Sequence, residues 1–401
     1  MQPLKLVIPG RFWDSLLYSG RLYLFTTRGE LVVVNWDQLV SGIRVMEPER
    51  LALRCAFQRS DYLYGGRWGL LFEDREIREA IERKFNSLAT AELQISADHL
   101  RESTVSRQAN PFTFPHTDCT IYYGEMYAGG TDGLFSAAFD EEGDAVVTHR
   151  ATRLWDAPSL SIAAGWRSLA VAAGSEGLYE VGIDVEGAPS RREPRLIGKG
   201  ECSACNWTFF SIFASSHLGG GWLADFKMFP DEHGRKTERV LERVLTAEDL
   251  FGRRSYSWGA QEKICQAFGG LIRVCSYNPW AKDERRRVVD LGTLELAEWK
   301  GEVVSGGVAP FGTIVECDNA IVVIPSSGPP AFTIAGEPVN WRIFPRAKYY
   351  TNQLHVIFED RLEIHSFNHD YFVKQPDKVS GTKYRSFGGR SRATAIDENW
   401  G

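Results

Sequence analysis

The sequence predicts an all-β fold built from repeated four-stranded sheets, and three observations support this prediction. The chain of 401 residues contains 38 glycines but only four methionines, a composition that favours many turns over long helices. A strand–turn–strand pattern recurs along most of the chain, and its later copies lie 41–50 residues apart. With 43% hydrophobic residues the chain can bury a large core, so general disorder is excluded.

The clearest copies of the repeat are two β-hairpins. Residues 130–135 read Gly-Thr-Asp-Gly-Leu-Phe, and residues 174–179 read Gly-Ser-Glu-Gly-Leu-Tyr. Each segment follows an apolar run and precedes an alternating one, which is the pattern of two strands joined by a tight turn. The first residues after the seven recognisable turns are Leu31, Leu134, Leu178, Trp222, Leu271, Ile321 and Leu362. After a first step of 103 residues, the steps are 44, 44, 49, 50 and 41 residues.

Spacings of this size are typical of one four-stranded blade of a β-propeller. The chain therefore resembles a seven-bladed β-propeller over residues 1–374, which we expect to form one domain. Residues 375–401 are polar and are predicted to be a flexible tail. We expect the N-terminal strand 4–8 to close the last blade, which begins within Lys348–Ser366. The periodic signatures of WD40, kelch and PQQ repeats are missing from the sequence, so the resemblance is to the architecture alone.

The long first step predicts a helical insertion in or after the first blade, at about residues 61–115. Asp74–Phe85 is predicted to be an amphipathic helix, and Ser96–Glu102 a second, shorter one. An alternative interpretation treats Leu51–Phe72 as an additional blade, which gives eight blades. Another helix is predicted within Lys236–Arg253, because its apolar residues fit one helical face.

Apolar runs between the hairpins predict the remaining strands of the blades. Ser159–Ala164 and Phe209–Ala214 are predicted to be innermost strands. Ala145–Thr148 and Val288–Asp290 are predicted to be outer strands, which follow the hairpin of their blade.

A hydrolase or lyase acting on a carbohydrate or a small ester is the alternative function that the sequence allows. Acidic residues occupy several predicted turns at one face of the propeller: Glu30, Asp132, Glu176, Asp318, Glu359 and Asp360. Converging acids could hold a cation or polarise a sugar at the mouth of the channel. However, tight turns also require residues such as Asp, and the sequence contains no Gly-x-Ser-x-Gly motif or phosphate-binding glycine loop. The balance favours a protein that is not an enzyme.

The cysteines indicate the compartment and the metal content. Seven cysteines without regular spacing predict reduced thiols, and no secretory or membrane-spanning segment is recognisable, so we expect a cytoplasmic protein. Cys202 and Cys205 have the spacing of half a zinc site, but a structural zinc ion needs four ligands. The remaining pair, His365 and His369, is about 160 residues away, so neither a metal nor a cofactor is expected.

A protein partner is the interaction that the sequence favours. The net charge of −6 disfavours nucleic acid, although the run Arg285–Arg287 is basic. Large aromatic residues with polar neighbours are typical anchors of protein interfaces, and several lie near the predicted starts of blades. The candidates are Trp155, Asp156, Trp207, Tyr256, Trp258 and Trp341. The predicted function is thus a non-catalytic scaffold or regulatory subunit that presents these loops and the inserted helical arm.

Overall fold

The protein is a seven-bladed β-propeller with a helical insertion in its first blade. A computed structural model describes residues 2–64, 74–139, 147–183, 193–218, 220–230, 236–281, 283, 286–295, 302–326 and 330–367. The strands are, in chain order, β1 Leu4–Pro9, β2 Phe12–Tyr18, β3 Arg21–Thr26, β4 Glu30–Asn35, β5 Leu93–Gln94, β6 Thr104–Ala109, β7 Asp118–Tyr122, β8 Glu125–Gly130, β9 Gly133–Ala138, β10 Thr152–Trp155, β11 Ser161–Gly165, β12 Ser168–Ala172, β13 Leu178–Gly182, β14 Arg195–Gly198, β15 Ala204–Thr208, β16 Ser211–Ser215, β17 Trp222–Pro230, β18 Lys236–Thr246, β19 Ser257–Ala260, β20 Lys263–Phe268, β21 Leu271–Tyr277, β22 Val288–Glu295, β23 Val303–Ala309, β24 Gly312–Cys317, β25 Ala320–Pro325, β26 Phe332–Ala335, β27 Asn340–Ile343, β28 Gln353–Ile357 and β29 Arg361–Ser366.

Seven sheets form the blades, and six of them have four strands. The orders of their strands are β2-β3-β4-β6 in blade 1, β7-β8-β9-β10 in blade 2, β11-β12-β13-β14 in blade 3, β15-β16-β17-β18 in blade 4, β19-β20-β21-β22 in blade 5, β23-β24-β25-β26 in blade 6 and β27-β28-β29-β1-β5 in blade 7. Each of blades 2–6 is a meander of consecutive strands, the arrangement that short turns between antiparallel neighbours produce. The prediction of seven rather than eight blades is confirmed.

The chain divides into two compact units. Unit 1 comprises residues 1–110, 142–146 and 309–401, and unit 2 comprises residues 111–141 and 147–308. Blades 1 and 7 belong to unit 1, together with β24, β25 and β26. Blades 2–5 belong to unit 2.

In unit 1 the N-terminal strand completes the last blade. Strand β1 runs antiparallel to β29, with Leu4 opposite Ser366 and Pro9 opposite Arg361. Its other edge pairs in parallel with β5. Leu4, Leu6 and Ile8 are fully buried, so this strand is a structural part of the core.

The insertion lies between the third and fourth strands of blade 1. Its helices are α1 Trp36–Ser41, α2 Arg50–Phe57, α3 Asp61–Tyr64, α4 Arg75–Ala89 and α5 Ala97–Glu102, with a 3-10 turn at Glu47–Glu49. Helix α4 begins after Asp74, whose carboxylate accepts hydrogen bonds from the backbone N–H groups of Glu76 and Ile77. The predicted bounds of the insertion, about 61–115, are too late at both ends. The helices already begin at Trp36, and the insertion ends before β6, which starts at Thr104.

The eight-blade interpretation is wrong because most of the described part of Leu51–Phe72 is helical. Leu53, Ala56 and Phe57 share the buried face of α2, a spacing that fits a helix and not a strand. Residues 65–73 of the proposed extra blade lie outside the described residues.

The helix predicted within Lys236–Arg253 is mostly a strand. Strand β18 pairs antiparallel with β17, and only Ala247–Phe251 forms a helix, which is α6. Val240 and Val244 are both exposed on the strand. Residues four positions apart lie on the same face of a strand and also on the same face of a helix, so this spacing does not distinguish the two. β-branched valines at these positions favour the strand.

Two of the predicted strands are displaced. Phe209–Ala214 covers the two turn residues after β15 and then most of β16, which is the second strand of blade 4 and not the innermost one. The fourth strand of blade 2 is β10 rather than Ala145–Thr148, of which the described part contributes one bridge between Val147 and Phe139. Ser159–Ala164 overlaps β11, and Val288–Asp290 lies at the start of β22.

The described residues contain no helix that is both long and apolar enough to cross a membrane. The predicted tail at 375–401 lies outside the described residues.

Candidate protein-binding surface

Trp207 and Trp258 lie in the core and not on a loop surface. Each is only 2% exposed, and they belong to β15 and β19, the first strands of blades 4 and 5. The indole N–H of Trp207 donates a hydrogen bond of 2.8 Å to the carbonyl of Ala163 in blade 3. A Cβ atom at Gly165 would lie 2.8 Å from this indole, and one at Gly306 would lie 2.4 Å from the ring of Trp258. Both side chains therefore fill space beside glycines of a neighbouring strand, and neither is accessible to a partner.

The other four predicted anchors are partly exposed, but each aromatic ring among them has a contact within the protein. Trp155 ends β10, and its ring packs 4.5 Å from that of Tyr179 in blade 3. Trp341 lies in β27 and donates from its indole to Glu316 at 2.8 Å. Tyr256 stacks between His217 and Trp258, with ring centroids 4.6 and 5.8 Å away.

Asp156 follows β10 and is exposed. Trp341 belongs to unit 1 and the other five predicted residues belong to unit 2, where Trp207 and Trp258 are buried.

Three of the six acidic residues of the alternative enzyme hypothesis have a partner within their own unit. Glu30 pairs with Arg107 at 3.0 Å, and Asp360 pairs with Arg361 at 2.8 Å. Asp132 accepts a hydrogen bond of 2.9 Å from the hydroxyl of Thr113. Among the described residues, none of the six acids belongs to a group of three or more side chains with metal-ligand spacing.

Cys202 and Cys205 have the environment of protonated structural thiols. Both are buried, and Sγ of Cys202 contacts the carbonyl of Ala204 at 3.4 Å while Sγ of Cys205 contacts that of Ser161 at 3.7 Å. Burial raises the pKa of both thiols well above the ordinary range, whereas zinc binds the thiolate. Of the two other predicted donors, His365 is buried against Glu363, and His369 lies outside the described residues.

A different set of aromatic residues forms an exposed surface in unit 2. It starts at the two-residue turn between β11 and β12, where Trp166 and Arg167 have φ angles of +53° and +55°. A hairpin turn with two positive φ angles normally carries Asn-Gly or Asp-Gly, because other side chains are strained there. The side chain of Trp166 is nevertheless 37% exposed, so burial in the core does not explain why a tryptophan occupies this turn position.

The turn between β15 and β16 brings two phenylalanines next to Trp166. Phe209 has a φ angle of +58°, and its carbonyl accepts a hydrogen bond of 3.0 Å from the indole of Trp166. The ring of Phe210 is almost perpendicular to that of Trp166, with centroids 6.2 Å apart. Phe210 is 3% exposed and forms the base of this surface.

Trp280, in the loop between β21 and β22, completes the surface. Its ring centroid lies 4.5 Å from that of Phe209 and 5.6 Å from that of Phe210. Trp280 is 57% exposed, the most of any aromatic residue described. Trp166, Phe209, Phe210 and Trp280 are the aromatic patch, which is built from three consecutive blades of unit 2.

A buried ionic cluster holds the loop of Trp280 in place. The backbone N–H of Asn278 donates to the carbonyl of Arg287 at 2.7 Å, which closes the loop. Arg287 in turn donates to the fully buried Asp225 at 2.9 Å and to Glu242 at 3.0 Å. Tyr277 donates to Asp225 at 2.6 Å, and burial raises the pKa of its hydroxyl far above the usual range. The patch therefore rests on a rigid base, which lowers the entropy lost when a partner binds.

The aromatic patch was not predicted from the sequence, although a signal for it is present. Large aromatics stand at both turn positions of Phe209-Phe210 and at the first position of Trp166-Arg167, where hairpins favour Gly or Asn. The predicted anchors lie near the starts of blades, whereas these turns follow the first strand of their blades. Trp280 carries no comparable signal, because its loop is irregular.

The helical insertion packs onto its own unit instead of extending as an arm. The indole of Trp36 donates to the carbonyl of Phe57, and Gln353 of blade 7 donates to the same carbonyl at 2.9 Å. Asn352 donates to Ala56 at 2.8 Å. These contacts fix α2 against blade 7.

No protein-family model matches the chain, and no curated protein matches it in sequence. Among solved structures, the WD40 domain of Pan2 from Neurospora crassa is 9% identical, with 89% of each chain covered and a TM-score of 0.46. The β-propeller domain of Cps50 (Swd1) from Myceliophteria thermophila is 9% identical, with 89% of this chain and 99% of that chain covered and a TM-score of 0.48. A Bacteroides uniformis protein assigned as a 6-phosphogluconolactonase is 15% identical, with 63% and 80% covered and a TM-score of 0.42. Similarities of this size do not extend to function.

Proposed function

We propose that the chain is a non-catalytic protein-interaction module, a scaffold or regulatory subunit, whose protein partner binds at the aromatic patch. The observation that carries this proposal is the exposure of Trp166 and Trp280, whose rings both contact the buried ring of Phe210. Tryptophan is enriched among the residues that dominate the binding energy of protein interfaces. The proposed site of action is the cytoplasm, which the cysteine pattern of the sequence favours.

The strained turns support a role in binding. A non-glycine residue in the left-handed region costs about 1–2 kcal/mol, and Trp166, Arg167 and Phe209 all lie there. Strain of this kind persists where a side chain is needed for a function other than folding. The two turns thus place aromatic rings at the surface at a cost to stability.

The proposal is tested by partner capture with matched variants. The full chain, tagged and expressed in its native host, is used as bait for mass spectrometry alongside Trp166→Ala and Trp280→Ala. Each substitution is expected to cost about 2 kcal/mol or more of binding, which is a loss of about 30-fold in affinity for the same partner. Leu218→Ala is the control, because Leu218 is 77% exposed and lies outside the patch.

The thermal midpoint of Leu218→Ala should match that of the parent chain, since its side chain is 77% exposed. Binding by the two tryptophan variants is measured well below their own thermal midpoints, so that a loss of binding is not a loss of folding. Retention of the partner by a Trp166→Ala, Trp280→Ala double variant would overturn the proposal. An equal loss with Leu218→Ala would do the same, because binding would then not depend on the patch.

A further inference from the structure

We infer that the partner segment on the aromatic patch is an extended acidic peptide, whose apolar side chain packs between Trp166 and Trp280 while a carboxylate faces Arg167. This inference rests on the proposed function, since it assigns the chemistry of the partner for the same patch. It is carried by the charges that surround the four aromatic rings.

Arg167 places a cation next to the patch. Its backbone N–H donates to the hydroxyl of Tyr122 at 3.1 Å, which fixes the turn. The side chain is exposed, and within the described residues no carboxylate pairs with its guanidinium. Because Arg167 has a φ of +55°, a glycine would suit the turn better, so the turn does not explain why arginine is there.

A second cationic group lies directly behind Phe210. Arg239 is 8% exposed at its side chain, and it donates to the carbonyl of Phe210 at 2.8 Å. It also donates to Glu180, which at the same time pairs with Arg195 at 2.9 Å. Burial lowers the pKa of Arg239 to about 10, so it remains charged at neutral pH. Two arginines thus share one carboxylate, and one positive charge is left over.

The ionic cluster under the loop of Trp280 joins the carboxylates of Asp225 and Glu242 to the cations Lys227, Arg243 and Arg287. In the loop itself, the guanidinium of the exposed Arg286 lies 4.0 Å from the carboxylate of Asp283.

The described residues thus place the exposed guanidinium of Arg167 and the buried guanidinium of Arg239 beside the aromatic rings, on a chain whose net charge is −6. Complementary charge favours association and selects the partner. An acidic peptide with an apolar anchor satisfies both the aromatic rings and the exposed guanidinium of Arg167. Single-stranded RNA would also stack on tryptophan, but RNA-binding surfaces carry many exposed basic residues, whereas here Arg239 and Arg287 are buried. The observations therefore favour a peptide.

The experiment is a selection of random 12-residue peptides displayed on phage against the immobilised full chain. Enriched sequences are expected to combine a net negative charge with at least one aromatic, leucine or proline residue. The best synthetic peptide should bind at least tenfold more weakly to Arg167→Glu, and replacing its key acid by lysine should restore binding to that variant. Arg254→Glu is the control for total charge, since Arg254 is exposed in the loop before β19.

Enrichment of neutral or basic peptides would contradict the inference, as would an acidic peptide whose affinity does not change in Arg167→Glu. A failed selection also counts against it. A 12-nucleotide oligouridine is tested in parallel. If the oligouridine binds more tightly than the best peptide, and if Trp280→Ala abolishes its binding, the patch binds RNA and the inference of a peptide is wrong. The proposed function is tested by a different experiment: it is wrong if capture of the partner does not depend on Trp166 or Trp280, whatever the result of the peptide selection.

Discussion

Trp207 and Trp258 each cover a glycine of a neighbouring strand, so their side chains are part of the packing between blades. We expect Trp207→Ala and Trp258→Ala to lower the free energy of unfolding by about 3–5 kcal/mol each, because a large cavity opens in the core. Chemical denaturation followed by circular dichroism measures this loss. Their interpretation as interface anchors would instead imply weaker partner capture with unchanged stability.

Gly165→Ala tests the same packing from the other side. Its new methyl group would meet the indole of Trp207 at 2.8 Å, and overpacking of this kind costs about 1–3 kcal/mol. Gly200→Ala is the control, because its nearest neighbouring atom is 3.6 Å away. Equal stability of Trp207→Ala and the parent chain would show that the indole is not part of the core.

Buried histidines make the stability of unit 1 depend on pH. His355 is fully buried between Ser15 and Gln353, and burial lowers its pKa to about 3. Burial also lowers the pKa of His365. Because these rings are neutral in the folded state but bind protons below about pH 6.5 when unfolded, stability falls as the pH drops below about 6.5.

Glu363 also makes unit 1 less stable as the pH falls, but it does so at lower pH than the histidines. Burial alone would raise its pKa, but hydrogen bonds from His365 and Arg361 lower it to about 2, so its contribution to stability is lost as the pH falls below about 4.5.

For His355 alone we expect the free energy of unfolding to fall by about 2–3 kcal/mol between pH 7 and pH 4.5. Urea unfolding at a series of pH values measures how the free energy of unfolding depends on pH. This dependence should be weaker for His355→Gln than for the parent chain, and an unchanged pH dependence would refute the assignment.

The turn that joins β11 and β12 shows how one element can serve binding at the expense of stability. Arg167→Gly removes a side chain from the left-handed region and should raise the free energy of unfolding by about 0.5–1 kcal/mol. The reciprocal change is Gly124→Ala in the turn of blade 2, where φ is +73° and no atom lies within 4 Å of the new Cβ. It should destabilise by a similar amount.

Thermal unfolding of both variants, with partner capture in parallel, measures the two effects. Arg167→Gly is expected to melt higher and to bind the partner more weakly. A variant that melts lower would mean that the arginine is needed for folding and not for binding.

The sequence predicted most elements because strands and turns carry local signals. The hairpins at Leu134 and Leu178 were recognisable from glycines followed by alternating residues. Strand β18 was missed because bulges in its pairing with β17 disturb the alternation, and the remaining apolar spacing matches a helix. The aromatic patch could not be assembled from the sequence, because only the packing of three blades brings Trp166, Phe209 and Trp280 together.

At the scale of the whole molecule, the blade count follows from the repeat, and the last blade depends on both ends of the propeller. Deleting residues 2–9 removes β1 with its three fully buried aliphatic side chains, each of which contributes about 1.5–3 kcal/mol. This loss is comparable with the total stability of a typical domain, which is about 5–15 kcal/mol. We expect the truncated chain to unfold cooperatively only at much lower denaturant concentration, or to aggregate through the exposed edge of β29.

Size-exclusion chromatography and urea titration distinguish these outcomes from normal folding. Lys5→Ala in the same strand is the control, because the side chain of Lys5 is 50% exposed and its ammonium lies 3.9 Å from Glu363. A truncated chain that stays monomeric with the parent's midpoint would show that β1 does not contribute to the propeller.

Photo-crosslinking in the native host tests most directly whether a protein partner binds the aromatic patch of unit 2. Benzoylphenylalanine is placed at Tyr123, which is 37% exposed in the equivalent turn of blade 2, and at Leu218 for comparison. We predict one specific crosslinked protein from position 123, none from position 218, and loss of the crosslink when Trp166 and Trp280 are replaced by alanine. A crosslink from position 218 alone, or one that persists without both tryptophans, would contradict the claim.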